Sequence, residues 1–180
     1  MQNLDLNKIN YSITNSKFLT KIYFDWIYKK VIEIGNLNRD IIAIDYGCGF
    51  GHIKKLNIKL NNKSNIINFD KVKELSEISN IFDVKFDLII FCQSCYLMRE
   101  EEIHSILRKI KKFNSKTELI FVISKINIFN KILSILTFNF KFYKNVKTMP
   151  NTEIKIIESH CYIVKKQNLL LSHLIKAKFK

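Results

Sequence analysis

Proline and glycine are nearly missing from this chain. One proline, Pro150, and four glycines serve all 180 residues. No Pro/Gly/Ser-rich linker and no internal repeat is visible, so one domain is expected over residues 1–180. Within it, residues 1–38 read as a helical cap and 39–180 as the core. Long apolar runs are missing as well. Leu88–Met98 and Ile126–Phe142 fall short of the roughly 18 apolar residues of a membrane span, or are broken by Gln93, Lys131 and Asn139. Met1–Asn15 is polar and lacks the apolar centre of a secretory signal. Cys48, Cys92, Cys95 and Cys161 therefore read as free thiols, and a cytoplasmic location is expected. A structural zinc site needs four ligands at set spacing. One C-x-x-C, Cys92–Cys95, and the scattered His52, His104, His160 and His173 do not supply them, so no metal is expected.

Acidic residues are scarce: 16 against 30 basic ones, for a net charge of +14. Such an excess raises nucleic acid or an anionic surface as a partner. Arginine is scarcer still, with only Arg39, Arg99 and Arg108, and alanine occurs only at Ala43 and Ala177. Abundant Lys, Asn and Ile are what AT-rich codons produce. A dedicated reader of nucleic acid more often holds arginine, whose planar fork suits phosphate and base edges. The lysines are also spread along the whole chain. No specific nucleic-acid partner is expected. With 47% apolar and 26% charged residues, the composition is that of a packed globular domain.

Periodicity gives the elements. Lys17–Ile34 has helical apolar spacing, with Asn15 or Ser16 to cap it and Gly35 to end it. Ile41–Tyr46 is a buried strand, His52–Leu60 a weak helix, and Asn65–Asp70 a strand with an acid at its end. Phe86–Phe91 and Leu119–Ser124 are apolar enough for central parallel strands. Between them Glu100–Phe113 is an amphipathic helix with Ile103, Leu107 and Ile110 on one face. Ile126–Leu136 and Thr152–Ser159 read as helices. Tyr162–Lys166 and Leu174–Phe179 stand too close for a crossover helix and are expected to pair antiparallel. Strands alternating with helices imply a doubly wound α/β domain.

Three of the four glycines, Gly47, Gly49 and Gly51, fall within five residues, where a strand meets a helix. Ligands of open α/β sheets bind at such strand ends, and glycine lets the backbone come close. The dinucleotide pattern G-x-G-x-x-G fails, because its last position is His52; the P-loop pattern is absent. The string Asp45-Tyr46-Gly47-Cys48-Gly49-Phe50-Gly51 resembles motif I of class I S-adenosylmethionine-dependent methyltransferases, and the likeness extends in order and spacing from Ile41 to Lys180. The resemblance implies a mainly parallel, seven-stranded, Rossmann-like sheet with an antiparallel C-terminal edge pair. It implies S-adenosylmethionine as cofactor, with Gly47, Cys48, Gly49 and Gly51 along its methionine part and Asp45 positioning the amino group. Asp70, 25 residues after Asp45, would accept the ribose hydroxyls, as an acid does in dinucleotide folds. Gln93 falls at a cofactor-facing polar position. Glu77, Ile78 and Ser79 are candidates for the adenine side. Leu97-Met98 stands where many members have Glu-His.

Each residue also has a plainer reading. Asp70 could cap a helix, Gln93 a strand, and the glycines a turn. Cys92 reads as a small buried residue at a strand end. His104 reads as a partly buried helix residue. Tyr11, Tyr23 and Trp26 read as packing, with a substrate lid as the alternative. Lys141–Lys147, with Phe142 and Tyr143, reads as a solvated loop that could hold an anionic substrate. No general base is evident. A methyltransferase acting on a small molecule, such as a sugar, lipid or other metabolite, is the leading expectation. An RNA or protein methyltransferase, or a relative that binds the cofactor without catalysis, is the alternative. Oligomeric state is open.

Overall fold

The computed structural model describes residues 18–125 and 146–180. Asn15, Ser16, Tyr11, the Ile126–Leu136 helix and all of Lys141–Lys147 but its last two residues lie outside them. Among the described residues, four helices and six strands follow in the order α1 (Phe18–Gly35), β1 (Ile42–Tyr46), α2 (His52–Lys59), β2 (Asn65–Phe69), β3 (Leu88–Cys92), α3 (Glu100–Phe113), β4 (Glu118–Ser124), α4 (Pro150–His160), β5 (Cys161–Asn168) and β6 (Ser172–Phe179). The sheet order is β2-β1-β3-β4-β6-β5. The first four strands are mutually parallel. β6 runs antiparallel to both β4 and β5. The closing pair is thus antiparallel, as its short connection requires.

Alternation along β3 and β4 builds two cores. Ile89, Phe91, Leu119, Phe121 and Ile123 face α3 and α4, joined by Ile103, Leu107, Ile110, Ile156 and Ile157. Leu88, Ile90, Ile120 and Val122 face the other way, against Phe24, Ile27, Tyr28 and Val31 of α1 and Ile53 of α2. β3 is buried on both faces because both sides carry helices, which is why its sequence reads as continuous apolar. α3 has the bounds its spacing implies. Glu100, Glu101 and Glu102 open it and Lys111 and Lys112 close it, each sign favourable to the helix dipole.

The structure corrects or refines the sequence reading at four places. The described residues form six strands, not seven. Between β2 and β3 the chain makes two 3-10 turns, Lys73–Leu75 and Ile81–Asp83, and no strand. Phe82, Val84 and Phe86 alternate with polar residues there, but polar side chains cap the turns: Asn80 accepts from the Phe82 N–H at 3.2 Å. Gly35 ends α1 as read, but the left-handed residue is the next one, Asn36, at φ 55, with the Leu37 N–H donating to the Ile32 carbonyl at 3.2 Å. Asparagine tolerates this position. α4 begins at Pro150, whose missing N–H costs nothing in a first turn. β5 and β6 run longer than their apolar cores, because alternate lysines such as Lys166 and Lys178 point to solvent.

Candidate active site

After β1 the chain winds to β2 on one side, then returns to β3 on the other. Strand order therefore reverses between β1 and β3, and a crevice opens beyond their C-terminal ends. Asp45 and the three glycines emerge from β1 at this point; Gln93 and Ser94 emerge from β3.

The glycines are needed there. Gly47, Gly49 and Gly51 have φ of 75, 53 and 64°, a region that penalises any side chain. A Cβ on Gly47 would stand 2.6 Å from the Ser94 Cβ, so β1 and β3 close on each other through a glycine. The loop is pinned at its start, where the Gly47 and Cys48 N–H groups both donate to the Phe69 carbonyl, at 2.7 and 3.2 Å. Gly51 then leads α2, whose first turn has no side-chain cap. Its N-terminal N–H groups are left for another acceptor.

Two carboxylates lie under this loop. Asp70, 8% exposed, accepts from the Gly49 N–H through Oδ2 at 3.0 Å and from the Val72 N–H through Oδ1 at 3.0 Å. Asp45 is 2% exposed, and its Oδ1 has no hydrogen-bond partner among the described residues. Burial, and then the charge of Asp70, push the Asp45 carboxyl up to about 7. A buried, unpaired carboxylate is costly unless a cation or donor meets it. The Ser94 hydroxyl, buried against Gly47, is likewise unpartnered among the described residues. The left-handed glycines leave room for a ligand, the buried acid fits its cationic amino group, and the open helix N-terminus fits an anionic group.

Gln93 takes φ 54, which is uncommon for a residue with a side chain. Its Nε2 donates to the Ser172 Oγ at 3.4 Å, and Ser172 bonds the Tyr23 hydroxyl at 3.1 Å. This chain of bonds ties α1 to the tips of β3 and β6, so the N-terminal helix reaches the rim of the crevice. Tyr23 also lies against Trp26, 5.9 Å between ring centroids, and Trp26 is exposed.

No family model and no curated protein matches this chain. Solved structures do match. The pyocyanin biosynthetic protein PhzM gives a TM-score of 0.66 at 9% identity, over 85% of this chain and 54% of that one. Magnesium protoporphyrin IX methyltransferase (ChlM) from Synechocystis PCC 6803, with bound SAH, gives 0.53 at 16% identity, over 92% and 89%. Human N-acetylserotonin methyltransferase, in complex with SAM, gives 0.59 at 13% identity, over 84% and 51%. This is the class I methyltransferase fold. The chain spans about half the length of PhzM and of the N-acetylserotonin enzyme.

Within that fold, the segment after β2 folds back over the end of the strand. Ser76 donates to the Ile78 carbonyl at 2.6 Å and accepts from the Asp70 N–H at 3.3 Å. Ile78 is thereby held beside Asp70, half-buried against the core. Glu77 is engaged elsewhere. It pairs with Lys54 of α2 at 2.6 Å and accepts from Asn68 of β2, which closes the strand edge. Ser79 is exposed and bonds Asp83. Cys48 is buried, its thiol donating to the Gly49 and Leu75 carbonyls at 3.5 Å, and burial with the nearby acids raises its pKa. Cys92 and Cys95 are free thiols raised by burial. Among the described residues no cluster of three or more His, Cys, Asp or Glu could hold a metal, and no helix is long and apolar enough to cross a membrane. Ser94 is the site residue that sequence reasoning missed. Its only signal is its place two residues past an apolar strand.

Proposed function

We propose that this chain binds S-adenosylmethionine and transfers a methyl group to a small molecule. The observation that carries the reading is the buried Asp45 oxygen, without a partner among the described residues, under the three left-handed glycines. When bound, the cofactor supplies a methyl group activated by a sulfonium. Asp45 would face its amino group, and Gly47, Cys48, Gly49 and Gly51 would let the loop backbone lie against its methionine part. Asp70, the buried acid at the end of β2, would take the ribose hydroxyls. Ile78 would pack at the adenine end and Gln93 would line the rim. Most of the catalysis in such a transfer is placement of two reactants in line with water excluded, so a site without an evident base is workable.

The small-molecule class is supported by the neighbours, whose names include a magnesium protoporphyrin, an N-acetylserotonin and a mitomycin methyltransferase. A sugar, lipid or other metabolite is the acceptor class proposed. The test is incubation with methyl-labelled cofactor and the low-molecular-weight, RNA and protein fractions of a cell extract. Label is expected in the first fraction, and reduced in Asp45→Asn at limiting cofactor. Label in RNA or protein instead would overturn the acceptor class.

A further inference from the structure

A second polar cluster lies away from the strand tips, where the end of α4 meets α3. His104 Nδ1 and His160 Nε2 are 2.8 Å apart, and both rings are half-buried. Spacing on α3 puts Arg108 and Lys111 one and two turns beyond His104, on the same face. The end of β6 adds Lys180, whose Nζ donates to the Glu158 carbonyl at 2.5 Å and stands 5.8 Å over the Tyr162 ring. The charges that lower the His160 pKa are positive: His104, Arg108 and Lys111 from α3, and Lys180; Glu101 and Glu102 on α3 and Glu158 on α4 are the acids nearest in sequence to the pair. Burial is the first cause that lowers the His160 pKa, and the four positive groups follow. Elsewhere, Arg39, Lys176 and Lys178 share an acid, Glu118.

A histidine pair can hold an N–H···N bond only while one facing nitrogen is bare. Full protonation would set two N–H groups against each other among three fixed cations. An oxyanion would resolve both problems, because it accepts from the freed N–H groups and offsets the charge. We propose that the His104–His160 junction, with Arg108, Lys111 and Lys180, binds the phosphate group of a small molecule. The histidines touch and the three cations all act on His160, a compact cluster that suits a single tetrahedral anion better than a nucleic-acid backbone. Binding takes up protons, so it tightens as pH falls.

The test is NMR of the four histidine Cε1–H signals in the full chain, titrated at constant ionic strength with inorganic phosphate and with sulfate. Sulfate keeps its charge across the range from pH 6 to pH 8. Both anions are expected to shift His104 and His160 saturably and leave His52 and His173 unmoved, with sulfate binding more tightly at pH 6. Arg108→Gln combined with Lys111→Gln, both at exposed positions, should weaken binding about tenfold or more, the worth of charged hydrogen bonds. Equal shifts at all four histidines, unchanged binding in the double variant, or equal sulfate affinity at both pH values would overturn the proposal. A single-stranded RNA that binds through these same residues more tightly than phosphate, at physiological salt, would overturn the small-molecule assignment.

Discussion

Asp45→Asn separates the folding role of this residue from its binding role. In the folded protein the Asp45 carboxyl is pushed from 3.8 up to about 7, by burial and then by Asp70. The folded state therefore keeps the Asp45 proton at pH values where the unfolded chain has released it. Stability falls as pH rises from about 4 to about 7, and the cost is fully present above 7. Each pKa unit corresponds to 1.36 kcal/mol, so about three units amount to on the order of 4 kcal/mol. Asparagine keeps the shape and never ionises. The variant should match the parent near pH 4 and exceed it in stability by a few kcal/mol at pH 8. Affinity should move the other way. At pH 8 the variant should bind S-adenosylmethionine about 1.5–3 kcal/mol more weakly, the worth of a hydrogen bond to a charged partner. The parent should lose the same affinity as pH drops below about 7. Urea unfolding from pH 4 to 8, with calorimetry at pH 6 and 8, reads both quantities. A stability gap that does not change with pH, or an unchanged dissociation constant at pH 8, would refute the reasoning.

Three further outcomes are expected. Asp70→Ala should weaken the cofactor by about 1.5–3 kcal/mol in calorimetry, and should also cost stability, since the Gly49 and Val72 N–H groups lose their acceptor. Gly47→Ala should destabilise more than Gly51→Ala in urea unfolding. The first puts a Cβ 2.6 Å from the Ser94 Cβ, whereas the second meets, at 2.5 Å, the end of the Asn68 side chain, which can swing aside. Glu153 is buried in α4 with Oε1 unpartnered among the described residues, and burial pushes it up from 4.5 to about 8. Its stability cost enters as pH rises through that window, so Glu153→Gln should resist urea better than the parent at pH 9 and no better at pH 4; an equal gain at both would contradict this.

The parts of the fold and site that are legible in the sequence share a cause. In a chain with four glycines, three in five residues after Ile41–Tyr46 mark a turn that must take positive φ, and all three do. α3 is legible because apolar spacing, acidic start and basic end agree. Asp70 is legible as a strand-end acid, yet its bonds to Gly49 and Val72 depend on how the loop after β1 reaches β2. Ser94 becomes a site residue only because strand order brings β3 beside β1, a non-local fact. No strand forms between Asp70 and Asp87, where short-range polar capping, which apolar periodicity does not register, turns the chain instead. Glu77, read as an adenine candidate, is claimed by Lys54 from the next helix face, a pairing that depends on tertiary position.

The most direct test of the cofactor assignment is calorimetric titration of the purified chain, at pH 8, with S-adenosylmethionine, its demethylated product and NAD in parallel. The third glycine stands at Gly51 and not at the position of His52, and Asp45 leaves a buried carboxylate for an amino group that NAD lacks at that place. Saturable one-site binding is expected for the first two ligands and none for NAD. Binding of NAD with no response to S-adenosylmethionine would contradict the account.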